Sequence, residues 1–467
     1  MNRSTNNRCR TPGTLSICMI VKNESALLGR CLQSVREAAD EIVVVDTGSS
    51  DSTVDIAKSF GAVVIETKWQ NDFAQARNIS LQHASGQWIL WLDADDVVPQ
   101  ESIPGLKELK KRTPECVFAM LIRNERPCNT GTEFMQARMF PNRADIFFER
   151  SIHEQMMPSA LRLGMKLQNT NVVIEHHGYA DPVVLKQKAS RNVEMLLKEY
   201  ESSGGDPVML LEIADSFLLI EDHESALIWY NKLLKIPKCV ETVPAIVSQA
   251  YCGLGTIHLN KQEFQKAADL FNGALKLSPW RLDVYYNRAV ALEMVDDKNG
   301  ALQCLGRVID MQPQPGQVGV DFRAAKIKSF LRMTRILAES GNMTLAEQVI
   351  TQGLAAFPAR QEIKNMAGKI FLKSNRLMDA LHEFEKSILI INEGNIDAYI
   401  GLCIIYNIAG KQDLVYQTIR SIEPLFKGNK KYDTFKRYIS EKKEKYAADE
   451  SFKQDLAELQ KEFFFVL

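Results

Sequence analysis

A period of 34 residues in the second half of the sequence is the feature that most constrains how this chain can fold. Ala267 and Ala301 are 34 residues apart, and so are Ala346 and Ala380; three of these alanines are followed twelve residues later by a proline. Small residues let two helices approach closely and a proline ends the second helix, so each period predicts one helical hairpin. Stacked hairpins form a curved solenoid with an extended concave surface.

The residue types within each period resemble those of tetratricopeptide repeats. One copy has this spacing in the residues Tyr251, Gly255, Ala267, Phe271, Ala274 and Pro279. We predict such repeats over residues 207–424, with a degenerate first copy at 207–237 and a weaker last copy at 395–424. An irregular helical bundle is the alternative, although a period shared by alanine and proline is hard to obtain from a bundle.

Residues 15–185 have a different rhythm, in which continuous apolar runs alternate with segments of helical spacing. The apolar runs lie in the sequences LSICMIV, EIVVVD, AVVIET and QWILWLDADD, and each suits a buried strand. Strands that alternate with helices at this spacing predict a parallel α/β sheet. The fold class that we expect is therefore a Rossmann-like α/β domain followed by an all-α solenoid.

The pattern of the chain divides it into five segments. We expect a disordered tail at 1–14, the α/β domain at 15–185, a linking helix at 186–206, the solenoid at 207–424 and a C-terminal capping helix at 425–467. The last segment is charged and helical in pattern, but it ends in the apolar sequence FFFVL. This apolar end offers a surface for docking on the solenoid or on a second copy in a homodimer.

The residue totals argue against several classes of protein. With 57 basic and 58 acidic residues the formal net charge is −1, which gives no reason to expect nucleic acid as a partner. The nine cysteines include no C-x-x-C pair, which favours thiols in a reducing compartment over a disulfide framework. The N-terminus lacks the apolar region of a signal peptide, and no apolar run reaches the roughly 20 residues of a membrane span. We expect a cytoplasmic protein.

Three carboxylates follow the fourth apolar run, in the sequence ILWLDADDVV. Asp93, Asp95 and Asp96 lie within four positions, and like charges at such spacing repel one another. Hard cations prefer carboxylate oxygens, so a strand end with the pattern D-x-D predicts a site for Mg²⁺ or Mn²⁺. The alternative is a cap for the helix that begins soon after, although one aspartate would suffice for a cap.

Polar residues also end the first two predicted strands. In parallel α/β sheets ligands bind outside the carboxyl ends of the strands, and Asn23, Glu24 and Asp46 fall there. Asp46 precedes the glycine- and hydroxyl-rich loop TGSSDST, so its carboxylate could accept hydrogen bonds from a nucleobase or a ribose. The alternatives are an Asx-turn at Asp46 and a simple helix N-terminus at Asn23 and Glu24.

The order of these blocks resembles that of family 2 glycosyltransferases, which have the GT-A fold. The blocks SICMIVKNESALLGRCLQSV, EIVVVDTGSSDSTVDIAKSFGAVV and WQNDFAQARNISLQHASGQWILWLDADD carry the resemblance from residue 15 to about residue 100. The later segments ARMFPNRADIFFERSIHEQM and VVIEHHGY resemble a branch with C-terminal tetratricopeptide repeats, such as the sublancin-type bacterial peptide S-glycosyltransferases. That branch borders on the lipopolysaccharide-core glucosyltransferases.

The resemblance implies a role for each matching residue. Nucleotide-sugar binding falls to the residues Asn23, Glu24, Asp46, Arg77, Asn78, Asp93 and Ala94. Asp95 is the implied direct ligand of Mg²⁺ or Mn²⁺. His176 would complete the metal shell or contact the diphosphate, with His177 the less favoured of the two. Arg138 could bind a phosphate or an acceptor group, and a surface ion pair is the alternative.

Glu154, in the sequence SIHEQ, is the implied catalytic base. It matches the glutamate in the V-H-E block of this branch, and members of the family invert the anomeric centre by a single displacement. Such a transfer needs one base on the acceptor side of the sugar, as in inverting glycoside hydrolysis with the acceptor in place of water. The alternative is a structural pair of His153 and Glu154 in a loop.

We therefore expect a metal-dependent, inverting hexosyltransferase with a nucleotide-sugar donor, UDP-linked, and a peptide or protein acceptor. The solenoid would bind the acceptor, and a serine, threonine or cysteine side chain would be the nucleophile. One alternative makes a lipid-linked glycan or the lipopolysaccharide core the acceptor, although the sequence has no basic amphipathic membrane segment. The other is an inactive scaffold that assembles partners through its repeats, which the presence of Asp93, Asp95 and Glu154 disfavours.

Overall fold

The structure is a computed structural model, and it describes residues 11–124, 133–177, 182–312, 322–390, 394–441 and 449–463. The described residues divide into two compact units. The first comprises those up to Ala291 together with residues 311, 312 and 322–324, and it contains a β-sheet and the helices that follow the sheet as far as Ala291. The second comprises residues 292–310 and the described residues from Ala325 onward. Three residues of the motifs above, Gly178, Tyr179 and Pro313, lie outside the described residues.

The first unit is built on one mixed sheet. Its strands are β1 (Thr11–Val21), β2 (Glu41–Asp46), β3 (Val63–Glu66), β4 (Gly86–Trp91), β5 (Asp96–Val97), β6 (Cys116–Asn124), β7 (Glu133–Pro141) and β8 (Lys166–His176). The eight strands lie in the order β3-β2-β1-β4-β7-β6-β8-β5. Strands β1 to β4 are parallel to their neighbours within this group. β7 is antiparallel to β4 and β6, and β5 is antiparallel to β8.

The four strands predicted from the apolar runs form the parallel half of the sheet. Successive residues of β4, Ile89 and Leu90, belong to separate core clusters, which shows that both faces of this half are covered. The sheet begins earlier than predicted, because Thr11 pairs with Gly86 and the backbone N–H of Gly13 donates to Gln87 Oε1 at 2.8 Å. The assignment of residues 11–14 to a disordered tail is therefore wrong.

The other half of the sheet, β5 to β8, has no counterpart among the predicted strands. It combines antiparallel pairs with the parallel pair of β6 and β8, so the sheet is mixed rather than parallel throughout. β7 and β8 include half-buried and exposed positions over much of their length, and they lack the continuous apolar run that marks a buried strand. In this half β8 ends at His176, which lies opposite Asp96 of β5 in the strand register. The antiparallel strands thus bring a distant histidine to the aspartates that follow β4.

Helices make up the rest of the described chain. Those of the α/β domain are α1 (Leu28–Val35), α2 (Thr53–Ser59), α3 (Phe73–His83), α4 (Ile103–Leu109) and α5 (Met157–Arg162), and a long helix, α6 (Pro182–Ser203), follows them. The helices of the repeat region are α7 (Pro207–Leu219), α8 (His223–Leu234), α9 (Cys239–Thr242), α10 (Pro244–Asn260), α11 (Phe264–Leu277), α12 (Leu282–Met294), α13 (Lys298–Asp310), α14 (Phe322–Glu339), α15 (Met343–Ala356), α16 (Gln361–Lys373), α17 (Leu377–Ile390), α18 (Ile396–Ile408) and α19 (Gln412–Phe426).

The two helices of a repeat approach each other closely at glycine. A Cβ atom at Gly255 of α10 would lie 2.6 Å from the ring of Phe271 in α11, and one at Gly368 of α16 would lie 2.6 Å from the ring of Phe384 in α17. The alanines that define the period are fully buried at 0% exposure. The predicted helical hairpins are confirmed, and with them the fold class of an α/β domain followed by helical repeats.

The described residues of the C-terminal segment form the helices α20 (Lys430–Ser440) and α21 (Glu450–Phe463), rather than the one capping helix that we predicted. α20 ends where the next residue adopts an extended backbone. Tyr438 of α20 packs against Phe452 of α21, and Phe463 is fully buried in the core of the second unit. The rest of the FFFVL sequence lies outside the described residues, and the homodimer stays a prediction.

The described cysteines are buried and form no disulfide with one another, as the spacing of the cysteines predicts. They are Cys18, Cys31, Cys116, Cys239, Cys252, Cys304 and Cys403, whereas Cys9 and Cys128 lie outside the described residues. A search of the described helices finds none with both the length and the apolar character of a bilayer-crossing segment.

Candidate active site

The loops after β1 and β2 are joined by side chains predicted to bind the nucleotide. Asp46 is buried, and its Oδ2 accepts hydrogen bonds from the backbone N–H groups of Gly48 at 3.0 Å and Ser49 at 2.9 Å, which is the Asx-turn alternative. Asn23, with φ = 55°, accepts from the backbone N–H of Ser50 through Oδ1 at 2.8 Å. Both residues therefore shape the loop, and their contact with a nucleotide stays a prediction.

Glu24 lies at the start of the chain turn that leads into α1. Its backbone N–H donates to Thr53 Oγ1 at 2.8 Å, and its carbonyl accepts from the N–H groups of Leu27 and Leu28. These contacts match the helix N-terminus that was the alternative for this residue. The half-buried Glu24 side chain stays a predicted nucleotide contact.

Three aspartates and one histidine converge where β4 ends. Asp93, Asp95, Asp96 and His176 each offer a ligand atom, and these atoms lie within 4.8 Å of one another. His176 Nδ1 is 2.8 Å from Asp96 Oδ1 and 3.4 Å from Asp95 Oδ1. Ala94, between two of the aspartates, is buried, so it contributes packing and backbone rather than an exposed side chain.

Arg138 of β7 fixes the innermost aspartate of this cluster. Its side chain is 3% exposed, and its Nη1 lies 2.9 Å from Asp96 Oδ2, which is fully buried. The guanidinium carbon also lies 3.7 Å from the ring centroid of Trp91, in a cation–π contact. The alternative was an ion pair at the surface. Arg138 does form an ion pair, but that ion pair is buried, so the alternative is wrong. A phosphate or acceptor contact of Arg138 stays a prediction.

Arg77 of α3 joins the aspartate cluster to the predicted base. Its Nη2 donates to Asp93 Oδ1 at 2.8 Å and its Nε donates to Glu154 Oε1 at 2.6 Å. Burial raises the pKa of the Asp93 carboxyl, but the guanidiniums of Arg77 and Arg138 outweigh burial and hold that pKa well below its ordinary value. The remaining nitrogen, Arg77 Nη1, is buried and has no hydrogen-bond partner among the described residues.

Asn78, the neighbour of Arg77, holds the segment that leads to Glu154. Its Nδ2 donates to the carbonyl of Phe148 and its Oδ1 accepts from the N–H of Phe148, both at 2.9 Å. The side-chain amide of Asn78 thus satisfies both backbone hydrogen-bonding groups of Phe148. His153 is exposed with φ = 51°, and Glu154 pairs with Arg77 instead, so the alternative of a His153–Glu154 pair gains no support.

The charges of the cluster suit a divalent cation. Four carboxylates and two guanidiniums meet here and leave two negative charges when the imidazole is neutral, from Asp93, Asp95, Asp96, Glu154, Arg77 and Arg138. Burial lowers the pKa of His176, but its hydrogen bond to Asp96 and the nearby carboxylates raise that pKa above its ordinary value. Only the neutral imidazole can bind a metal, so a bound metal would displace the proton from a charged His176. Asp95 and His176 belong to this group of four and stay the predicted ligands of the metal.

Comparison with known families identifies the domain. Residues 16–177 match the profile of the family described as Glycosyl transferase family 2, and residues 248–279 match that of a tetratricopeptide repeat. The chain carries a family 2 glycosyltransferase domain. The predicted resemblance is thereby confirmed for the sheet, its helices and the repeats that follow.

Several bacterial proteins are similar to this chain. The chain is 31% identical over 269 residues to a TPR repeat-containing protein of Synechococcus elongatus, over 56% of this chain and 66% of the relative. It is 29% identical over 227 residues to the SPbeta prophage-derived glycosyltransferase SunS of Bacillus subtilis, over 47% of this chain and 53% of the relative. The chain therefore spans less than two thirds of the length of these curated relatives.

The segment before Glu154 is clamped between the glycosyltransferase domain and the next two helices. Arg150 Nη1 pairs with Glu212 Oε1 of α7 at 3.1 Å, and Ser151 Oγ bonds Glu199 of α6. Ile152 is 2% exposed and packs in a cluster with α6 and α7. Because these residues include the predicted base, Glu154, we refer to residues 150–154 as the catalytic loop. Its clamping residues are 48 and 62 positions away along the chain, so no local sequence signal marks them.

Proposed function

We propose that this protein is an inverting glycosyltransferase that moves a hexose from a UDP-linked sugar to a serine, threonine or cysteine side chain of a peptide or protein. The observation that carries this proposal is the bridge of Arg77, whose Nε and Nη2 bind Glu154 and Asp93 at 2.6 Å and 2.8 Å. The bridge holds a potential base beside a cluster suited to a cation and a diphosphate. The family of the domain supports the same reaction class.

The donor would lie across the ends of β1, β2 and β4. Asn23, Glu24 and Asp46 border the place for the nucleoside. The buried Nη1 of Arg77 lacks a partner among the described residues, and buried donors are seldom left unsatisfied, so a diphosphate oxygen is a suitable acceptor for it. Asp95 and His176 would hold Mg²⁺ or Mn²⁺, which when bound offsets the charge on the departing diphosphate.

Glu154 would take the proton of the acceptor nucleophile as it attacks the anomeric carbon. An inverting displacement needs this single base on the face opposite the leaving group. Arg77 orients the carboxylate through one of its two oxygens, Oε1. The repeats would bind the polypeptide that carries the nucleophile, because a solenoid offers an extended surface to an extended chain.

Thermal unfolding with a panel of nucleotide sugars tests the proposal. We expect a UDP-hexose with Mn²⁺ to raise the unfolding midpoint by about 5 °C at saturating concentration, and to do so much less when the metal is removed with EDTA. GDP-, CMP- and dTDP-linked sugars serve as controls for recognition of the nucleobase. The same midpoint with every nucleotide sugar, with and without metal, would contradict the proposed donor and metal site.

Glu212→Gln should lower kcat for transfer by about tenfold and leave the KM for the donor nearly unchanged, because it loosens the loop that positions Glu154. Initial rates with the donor selected by the thermal panel measure both parameters. Glu201→Gln, at an exposed position of α6, is the matched control and should keep full activity. The charge swap that combines Arg150→Glu with Glu212→Arg should recover activity. A Glu212→Gln variant as active as the control would show that the clamp does not position the base.

A further inference from the structure

A cavity of about 400 Å³ opens beside the catalytic loop. Its lining residues are Asn71, Ser151, Arg191, Glu194, Met195, Lys198 and Glu199. We propose that this cavity is an acceptor subsite, and that it binds an acidic side chain of the polypeptide a few residues from the side chain that receives the sugar. The proposal rests on the proposed function, because it takes Glu154 as the base of a transfer to a polypeptide.

The cavity lies within reach of the proposed base. Ser151, in its wall, precedes Glu154 by three residues, which span at most about 11 Å of extended chain. The carbonyl of Ser151 accepts from the N–H of Phe73 at 2.8 Å, so the start of α3 and the catalytic loop form one side of the cavity as a single piece. Helix α6 supplies the other side.

Arg191 gives the cavity its chemical character. Arg191 is exposed, and its guanidinium carbon lies 5.2 Å from the ring centroid of Phe73. Its Nη2 donates to Asn192 Oδ1 at 3.3 Å, and among the described residues the guanidinium forms no ion pair with a carboxylate. Partial burial lowers the pKa of this guanidinium. Arg191 is thus a cation in the lining of the cavity that can still bind a carboxylate.

The other charged residues of the lining leave room for an anion. Lys198 lies seven residues, or about two turns, after Arg191 and therefore on the same face of α6. Of the two carboxylates, Glu199 is engaged by the Ser151 hydroxyl. Glu194 stands one turn from each cation and forms an ion pair with neither within the part of the chain that the structure describes. A ligand carboxylate can therefore accept two parallel hydrogen bonds from the planar guanidinium of Arg191.

The chain between Ser151 and Glu154 limits the offset at which the acid can lie in the acceptor. Its three residues span at most about 11 Å, and an extended polypeptide advances about 3.3–3.6 Å per residue, so an acceptor side chain about two to four positions from the one at Glu154 would reach the cavity. We therefore expect an aspartate or glutamate at about that offset from the modified residue. An acceptor that is a lipid-linked glycan would show no such dependence.

Selection from a random peptide pool tests the subsite. The pool carries one fixed serine with five random residues on each side, and it is passed over immobilised full-length protein with UDP and Mn²⁺, with sequencing before and after. We expect aspartate and glutamate to be enriched about tenfold at two to four positions from the serine, the factor of a single charge-assisted contact. Arg191→Gln should abolish this enrichment, and Arg191→Glu should replace it with enrichment of lysine and arginine.

Arg36→Gln removes the same charge from an exposed residue outside the cavity and should leave the enrichment intact. A pool without acidic enrichment, or an enrichment that persists in Arg191→Gln, would overturn the subsite. The midpoint shift with UDP-sugar and Mn²⁺, measured on the same preparations, should not change in Arg191→Gln. If the unfolding midpoint of the wild-type protein does not rise with UDP-sugar and Mn²⁺, the proposed function is overturned instead, whatever the peptide selection gives.

Discussion

Glu154→Gln should lower kcat for transfer by about 10²–10⁴-fold and leave the affinity for the nucleotide sugar unchanged. The amide has the size of the carboxylate but cannot take the proton of the acceptor. Its oxygen can still accept the hydrogen bond from Arg77 Nε, which is 2.6 Å from Glu154 Oε1 in the wild-type protein, so the catalytic loop keeps its position. Product formation followed by mass spectrometry gives kcat, and calorimetric titration with the donor gives its affinity.

The control for this variant is Glu149→Gln, five residues earlier in the same segment. Glu149 pairs with Arg162 at a more exposed position, and its substitution should leave kcat within about twofold, as is usual for an exposed ion pair. Retained transfer in Glu154→Gln would assign the base to another residue. A parallel loss of donor affinity would instead make Glu154 a structural partner of Arg77.

Asp95→Ala should remove the metal dependence of donor binding and lower transfer by at least about 10³-fold, while the protein stays folded. The ion pairs of the buried arginines go to Asp93 and Asp96, so the loss of the Asp95 carboxylate leaves those pairs in place. Titration with Mn²⁺ in the presence of UDP measures the metal site, and thermal unfolding measures the fold. Wild-type affinity for Mn²⁺ in this variant would exclude Asp95 as a ligand.

Asp96→Ala provides the contrast, because its effect should be on stability. Asp96 is 0% exposed and lies 2.9 Å from Nη1 of Arg138, which is itself 3% exposed. Its removal takes away the nearer carboxylate of a buried cation and leaves, among the described carboxylates, only Asp93 Oδ2, at 3.7 Å. A loss of about 3–5 kcal/mol in the free energy of unfolding is expected for that change. Asp95→Ala should cost less by the same measurement, because the ion pairs of Arg77 with Asp93 and of Arg138 with Asp96 stay in place.

The parallel half of the sheet is predictable from the sequence because its strands are buried on both faces. A residue such as Ile89 and its neighbour Leu90 both enter a core, so the strand is a continuous apolar run. Of the strands that follow, β6 carries a run of the same kind, CVFAMLI, which the prediction missed. β8 is not marked in this way, since it has exposed residues at most positions of its first half. The partners of these strands are set by pairing with distant segments, which periodicity does not encode.

In the candidate site, too, some features are predictable from the sequence and others depend on distant residues. The carboxylates that follow β4 are visible in the sequence because three of them are crowded into four positions, Asp93, Asp95 and Asp96. Which of them faces a ligand is not visible, since Arg138 reaches Asp96 from 42 residues away. The clamp from Glu212 on Arg150 spans 62 residues and depends on how α7 packs. A crowded group of carboxylates can thus be recognised from neighbouring residues in the sequence. The distant arginines and glutamates that pair with the site residues cannot be recognised in this way.

The compact unit that holds the catalytic loop extends past the α/β domain into the repeat region, through Ala291 in α12, and it also includes the first residues of α14, 322–324. Helix α7 belongs to this unit and holds Arg150 of the loop through Glu212. A substitution in the first hairpin can therefore reach the predicted base through a single ion pair. Under the proposed function, the helices that would bind an acceptor and those that position the base thus overlap, so a variant of α7 can change both at once.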